Sequence, residues 1–233
     1  MKKFKKILKI IVIIVIAIAV LGYIALFIYA SDYRTLDEDQ YGVFQEPDVN
    51  KTDKLVSFES ESDTGIIFYP GGRVEYIAYA PLCYKLQQQG VNVFLVDMPF
   101  NMANFGMNKA NKIIKDNEEI SNWYIAGHSL GGVAANMYAS MNNEKLNGLI
   151  MVGIYVSMEY DLNKTVTING SNDLRVGDSV DYTTNVHIIE GGNHAQFGNY
   201  GINEGDGIAT ITADEQQNEA VEIIMEFIEN SNK

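Results

Sequence analysis

The sequence predicts an α/β domain, a doubly wound and mostly parallel sheet, preceded by a single N-terminal transmembrane helix. From about residue 55 onward, short apolar runs of strand length alternate with longer segments of helical apolar spacing. Residues 10–30 carry no charge and are long enough to cross a bilayer as a helix. Hydrophobic residues make up 47% of the 233 residues, which excludes a disordered chain.

The N-terminal segment, residues 1–30, combines a Lys-rich tail with this apolar run. As a helix, residues 10–30 would span about 31 Å, close to a hydrocarbon core of ~30 Å. A cleaved signal peptide is the alternative, but its apolar region is ~7–15 residues long and is followed by a small-x-small site, which Ile28-Tyr29-Ala30 lacks. We therefore expect a retained signal-anchor, a single-pass helix at the cell membrane, with a cytoplasmic N-terminus and the rest of the chain extracellular.

Charge and cysteine content narrow the classes of function. The chain has 17 basic against 30 acidic residues, a net charge of −13. Because an acidic chain repels phosphate backbones, nucleic acid is not an expected partner. The single cysteine, Cys83, excludes a disulfide within the chain and a Cys-based zinc cluster, and we expect it to be buried in a helix.

The segments after the anchor follow in chain order. Residues 31–54 are polar and predict a linker or a first edge strand, so the α/β domain is expected to span residues 55–233. Buried runs such as GIIFY and VNVFLV are typical of parallel strands covered by helices on both faces. Strands are predicted at 55–59, 65–69, 91–96, 123–126, 149–152, 165–168 and 186–189, and helices at 75–89, 103–119, 130–141 and 214–229.

The strongest chemical motif is Gly-His-Ser-Leu-Gly-Gly at residues 127–132. It lies between a predicted strand and a predicted helix, which is the context of a nucleophile elbow with Ser129 at its tip. Glycines two positions either side are needed because side chains there would collide on so sharp a turn. The motif alone is weak, and an ordinary glycine-rich turn is the alternative. Its position favours a nucleophile.

A serine nucleophile needs a base, and the sequence contains three histidines. His128 is adjacent to the serine and is expected to face elsewhere, whereas His187 lies inside a predicted strand. His194 follows the last strand on a loop and is therefore the predicted base. Asp173 follows the strand at 165–168, where the chain order Ser, Asp, His places the acid that orients the base.

Other acidic residues fit the role of that acid less well. Asp161 precedes the strand at 165–168 and so belongs to the opposite sheet edge. Asp178 and Asp181 lie further along the chain, in a predicted helix.

Backbone donors and pocket residues follow from neighbouring strand ends. The N–H of Leu130 and that of Gly72 or Arg73 are predicted to form an oxyanion hole, and the choice between the last two stays open. The Arg73 side chain is also a candidate for a substrate carboxylate, with an ordinary surface arginine as the alternative. The residues expected to line the substrate pocket are Phe100, Asn101 and Phe197.

Residues 65–231 resemble an α/β-hydrolase, in detail the small, capless, membrane-anchored bacterial group related to dienelactone hydrolases. The matching stretches are PGGRVEYIAYAPL (70–82), DMPFN (97–101), GHSLGG (127–132), NGSND (169–173) and NHAQFGNYG (193–201). The resemblance implies Ser129, Asp173 and His194 as a catalytic triad. True dienelactone hydrolases use a cysteine where this chain has Ser129, which separates it from them.

The leading functional hypothesis is a membrane-anchored serine hydrolase that cleaves an ester or related acyl bond in a small molecule. It needs neither a cofactor nor a metal. The alternatives are a catalytically silent binding protein on the same fold, or a peptidase or acyltransferase with the same triad. Only 43 residues separate Ser129 from Asp173, so we expect a shallow site without a large lid. The sequence indicates neither the substrate nor the oligomeric state.

Overall fold

The structure, a computed structural model, describes residues 2–176 and 181–231. Its first helix, α1 (Lys2–Ser31), exposes apolar side chains along its whole length. Within Lys3–Ser31, an 18-residue window has a mean hydropathy of 3.2, and the helix is long and apolar enough to cross a membrane. Because exposed apolar surface costs about 25 cal/mol per Å² in water, α1 is a candidate transmembrane helix.

The described residues form one eight-stranded sheet with the order β1-β2-β4-β3-β5-β6-β7-β8. β1 and β2 are antiparallel to their neighbours, whereas β3 to β8 are parallel. The strands are β1 (Val49–Lys51), β2 (Leu55–Phe58), β3 (Thr64–Tyr69), β4 (Asn92–Val96), β5 (Asn122–His128), β6 (Gly148–Val152), β7 (Thr165–Gly170) and β8 (Val186–Ile189).

Four helices cover the two faces of the sheet: α2 (Ala80–Gln87), α3 (Ala110–Asp116), α4 (Leu130–Met141) and α5 (Ala213–Ser231). α2 and α5 contribute to one hydrophobic cluster, and α3 and α4 contribute to the other. β3 contributes side chains to both clusters, because Ile66 and Phe68 point to the first and Ile67 and Tyr69 to the second. This confirms the predicted doubly wound, mostly parallel fold.

The strand order places the crevice of this fold between β3 and β5. After β3 the chain forms β4 on one side, then returns to form β5 on the other side of β3. Ligands of open α/β sheets bind outside the carboxyl ends of strands at such a switch point. Tyr69 and Gly127 are register partners, so the loop after β3 and the turn after β5 begin side by side.

Two predicted helices are shorter than expected. The segment at 75–89 begins as a 3-10 turn, Tyr76–Tyr79, and becomes α-helical only from Ala80. Within 103–119 only α3 is α-helical, since residues before it form short 3-10 turns. Gly106 lies between two of these turns, and a Cβ there would approach Met98 Sδ to 2.6 Å, so a larger residue would require the Met98 side chain to shift.

Residues 31–54 pack onto the domain more closely than a linker would. They contain the predicted edge strand, β1, and a 3-10 helix, Glu38–Gln45. Leu36 is buried in the larger hydrophobic cluster, and Arg34 forms a parallel bridge with Val74. Part of this segment therefore packs against the α/β domain predicted from residue 55 onward.

Candidate active site

Ser129 lies on the turn between β5 and α4 with a backbone that L-residues rarely adopt, at φ 52° and ψ −119°. The flanking glycines make this turn possible. A Cβ on Gly127 would lie 2.3 Å from the backbone of Gly131, and one on Gly131 would lie 2.2 Å from the Tyr69 carbonyl oxygen. The Ser129 N–H donates to the Val152 carbonyl at 2.9 Å, which ties the turn to β6.

The structure brings the predicted base and acid into contact. His194 Nδ1 and Asp173 Oδ2 are 2.8 Å apart, and their side chains are 5% and 1% exposed. Asp173 Oδ1 accepts hydrogen bonds from the N–H groups of Arg175 at 2.9 Å and Val176 at 3.2 Å. Because an ionised carboxylate only accepts hydrogen bonds, this contact requires the proton on Nδ1 and leaves Nε2 free to act as a base.

A second carboxylate, Asp206, holds the backbone of the histidine loop. Its Oδ1 accepts from the His194 N–H at 3.2 Å, and its Oδ2 accepts from the Ala195 N–H at 2.8 Å. Asp206 therefore holds the backbone of His194 in position, whereas Asp173 sets the orientation of the imidazole ring. No motif in the sequence indicated this residue.

Ser129 and His194 line one cleft of about 210 Å³ at the carboxyl ends of β3 and β5. Within the described part of the chain, the Ser129 hydroxyl makes no hydrogen bond, so it is not yet engaged by the imidazole. Hydrogen bonds between catalytic groups are often long in unliganded enzymes and tighten when substrate binds.

Two backbone N–H groups are available where an oxyanion would form. Leu130 lies in the first turn of α4, where N–H groups have no acceptor within the helix. The Arg73 N–H donates to the Asn101 carbonyl at 2.8 Å, whereas the Gly72 N–H has no partner among the described residues. A Cβ on Gly72 would lie 2.8 Å from the Leu130 side chain, so the two segments are in contact. Of the two alternatives, Gly72 is the one with a free donor.

His128 does not face away from the site, as its position in the chain had suggested. It is 1% exposed, and its ring centroid lies 4.4 Å from that of His194. Its Nδ1 is 2.8 Å from the Tyr79 hydroxyl, which also accepts from the Gly71 N–H at 3.2 Å. Burial, and to a smaller extent the adjacent His194, lowers the pKa of His128 well below its ordinary value. His128 is therefore neutral and adds no positive charge beside the base.

The three residues expected to line the pocket lie outside the cleft. The centroid of the Phe100 ring lies 6.0 Å from that of Tyr23 in α1 and 5.7 Å from that of Phe105. The backbone of Phe100 has a positive φ of 59°, and its ring points away from the site. Asn101 contributes only its carbonyl, which holds the loop after β3. Phe197 is completely buried beside His128.

The remaining candidates have no visible part in the site. Asp161 accepts from the Asn163 N–H at 2.9 Å, in the turn before β7, at the opposite sheet edge. Asp181 is exposed, and Asp178 lies outside the described residues. Cys83 is buried in α2, as expected. In residues 2–176 and 181–231, no group of three or more His, Cys, Asp or Glu side chains could hold a metal ion.

Comparison with known proteins agrees with this architecture. No curated protein sequence matches the chain. A CIB-like hydrolase of Thermoplasma acidophilum is 16% identical, with a TM-score of 0.56 over 76% of this chain and 96% of its own. A monoacylglycerol lipase of Paleococcus ferrophilus is 12% identical, with a TM-score of 0.54 over 76% of this chain and 100% of its own.

A third solved structure has the same fold. It is an α/β-hydrolase enzyme from a sediment metagenome of the Mar Chica lagoon, 14% identical with a TM-score of 0.53 over 79% of this chain and 99% of its own. Residues 65–218, more than half of the chain, match the sequence profile of the alpha/beta hydrolase family. The chain belongs to the alpha/beta hydrolase family.

Proposed function

We propose that this protein is a membrane-anchored serine hydrolase that cleaves an ester or related acyl bond through an acyl-enzyme. The observation that carries the proposal is the shared cleft. Ser129 sits there on a strained elbow, opposite His194, whose Nδ1 is bonded to Asp173. Free N–H groups of Leu130 and Gly72 flank the serine. This set contains every group that acyl transfer to a serine requires.

The proposed reaction begins when Ser129 Oγ attacks the substrate carbonyl and His194 Nε2 takes the hydroxyl proton. The negative charge that develops on the carbonyl oxygen is bound by the two N–H groups, each worth about 3 kcal/mol in comparable sites. The tetrahedral intermediate collapses as His194 protonates the leaving group. A water molecule, deprotonated by His194, then hydrolyses the acyl-enzyme. Asp173 stabilises the imidazolium in both half-reactions.

A fluorophosphonate probe, which phosphonylates an activated serine, tests this proposal on the full-length protein in neutral detergent. Wild-type protein is expected to be labelled, and Ser129→Ala is expected to abolish labelling. Ser140→Ala is the matched control, because this exposed serine lies on the same helix, α4, and bonds only to carbonyls of its own helix. Folded wild-type protein that resists the probe, or Ser129→Ala protein that accepts it, would overturn the proposal.

We also propose that residues 10–30 cross the membrane, with the lysine-rich tail inside the cell and the catalytic domain outside. The exposed apolar surface of α1 over residues 10–30 supports this placement, and so do the five lysines in the first nine residues of the chain. Because Cys83 is buried, single cysteines can report the topology. A membrane-impermeant maleimide should label Glu61→Cys on intact cells but label Lys5→Cys only after permeabilisation. The reverse pattern would place the domain inside.

A further inference from the structure

The cleft beside Ser129 collects the arginines of this chain. The sequence contains three, Arg34, Arg73 and Arg175, and all three line it. No carboxylate and no lysine among the described residues lines the same cleft. In a chain with 30 acidic and 17 basic residues, such a concentration of guanidinium groups at one opening favours the binding of an anionic ligand.

Arg34 is the arginine whose charge is most clearly available. Its backbone is fixed beside the oxyanion loop, because its N–H donates to the Arg73 carbonyl at 2.9 Å and its carbonyl accepts from the Glu75 N–H at 2.8 Å. Its side chain is half-buried, and it forms neither an ion pair nor a hydrogen bond with any described residue. A guanidinium with five unused donors at the edge of a cleft is suited to bind an anion.

The other two arginines are held by partners that leave donors free. Arg73 lies 4.7 Å above the Tyr29 ring, and it donates to the carbonyl oxygen and the carboxylate of Asp32, whose side chain is 87% exposed. Arg175 donates from Nη1 to the Glu204 carbonyl at 3.0 Å. An ion pair as exposed as that of Arg73 is worth only about 0–1 kcal/mol, so it does not cancel the attraction for a ligand.

We propose that the acyl substrate carries a carboxylate or a phosphate group, which these arginines bind while Ser129 attacks the ester carbonyl. The inference rests on the hydrolase function proposed above and specifies its substrate class. Planar guanidinium groups match both anions, since each presents paired oxygen acceptors. At about 210 Å³, the cleft is small enough to bring an anion and an ester of the same molecule close together.

Such an anion has two possible sources. Tyr29 lines the cleft and is the second-last residue of the run proposed to cross the membrane, so the opening lies at the height of lipid headgroups. An anionic lipid could therefore enter from the bilayer, whereas a soluble monoester of a dicarboxylic acid could enter from the water. Both present the same chemistry to the arginines.

The test compares two p-nitrophenyl esters of glutaric acid, one with a free carboxylate and one with that carboxylate methylated. With full-length protein in neutral detergent, kcat/KM is expected to favour the anionic ester. Arg34→Gln should reduce the ratio of kcat/KM for the anionic ester to that for the methylated ester about 10- to 100-fold, mainly through KM. This is the size of effect expected when hydrogen bonds to a charged group are lost. Arg34→Lys, which keeps the charge without the planar guanidinium, should recover part of the selectivity for the anionic ester.

Lys164→Gln is the matched control. It removes the same charge from an exposed position before β7, at the opposite edge of the sheet, and should leave the ratio unchanged. A ratio near one in the wild type, or equal changes in Arg34→Gln and Lys164→Gln, would overturn the inference. In that case hydrolysis of the methylated ester would still support the hydrolase function, so the two failures are distinguishable.

Two further measurements complete the test. Glutarate, but not neutral glutaramide, should slow fluorophosphonate labelling of Ser129, which reports anion binding even if neither ester is turned over; equal protection by both would count against the inference. In nanodiscs, fatty-acid release from phosphatidylglycerol but not from diacylglycerol, which has no phosphate, would identify the lipid source. Cleavage of the soluble anionic ester alone would identify the soluble one.

Discussion

Replacing His128 with glutamine tests whether the neutral histidine beside Ser129 makes the fold sensitive to acid. His128 is 1% exposed and contacts the Tyr79 hydroxyl at 2.8 Å. Its pKa is held well below the ordinary value chiefly by burial, and additionally by the neighbouring His194. In the unfolded chain the same side chain is solvated and titrates at about pH 6.5.

The direction of the effect follows from which state binds the proton first. As the pH falls through about 6.5, the unfolded chain protonates His128 while the folded protein keeps it neutral. The free energy of unfolding therefore decreases, by about 1.4 kcal/mol for each pH unit between the unfolded and the folded pKa. Between pH 6.5 and pH 5.0 the loss reaches at most about 1.6 kcal/mol, which is the limit in which the folded protein keeps His128 neutral throughout this range.

Urea unfolding of the full-length protein in neutral detergent, followed by the fluorescence of the buried Trp123, measures this loss. Carboxylates also titrate in this range, but they are common to both proteins, so the difference between wild type and His128→Gln isolates one residue. Wild type is expected to lose more free energy of unfolding than the variant, by up to about 1.6 kcal/mol. His187→Gln, on the partly exposed strand β8, controls for the loss of a histidine elsewhere. Equal losses in wild type and His128→Gln would refute the reasoning.

Three further outcomes are expected. Ser129→Gly should raise the free energy of unfolding by about 1 kcal/mol, measured by thermal denaturation, because glycine relieves the strain at φ 52°, while hydrolysis is lost. Asp206→Asn should lower kcat about 10- to 100-fold with little change in KM, because it displaces His194 without touching substrate; an altered KM alone would contradict this. Phe105→Trp in nanodiscs should be quenched by brominated lipids, whereas Trp123 should not, because residue 105 is 52% exposed and its ring packs against Phe100, which contacts Tyr23 of α1.

The parts of the fold that sequence predicted well are those determined by local patterns. The bounds of α4 and β8 agree with the prediction to the residue, since α4 is an Ala-rich stretch that follows the glycine-flanked turn and β8 is a short, mainly apolar run before two glycines. Asp173 and His194 were placed on loops after successive strands, and the contact between them follows because parallel strands end at one edge.

The parts that sequence did not predict depend on contacts between distant segments. Arg34 belongs to an irregular polar stretch, and only its backbone pairing with the loop after β3 brings it to the cleft. Asp206 bonds to N–H groups on another loop, which no spacing rule encodes. Phe100 was placed at the correct strand end, but its direction depends on a positive φ that its residue type does not indicate.

Arg73 connects the candidate membrane helix to the chemistry of the cleft. Its N–H holds the Asn101 carbonyl, which shapes the oxyanion loop, and its guanidinium contacts Tyr29 and Asp32 at the end of α1. Because an exposed ion pair contributes at most about 1 kcal/mol, this connection adds little to the stability of the domain. It does, however, restrict where the guanidinium lies. Loss of α1 should therefore alter the selectivity between anionic and neutral esters more than it alters the free energy of unfolding.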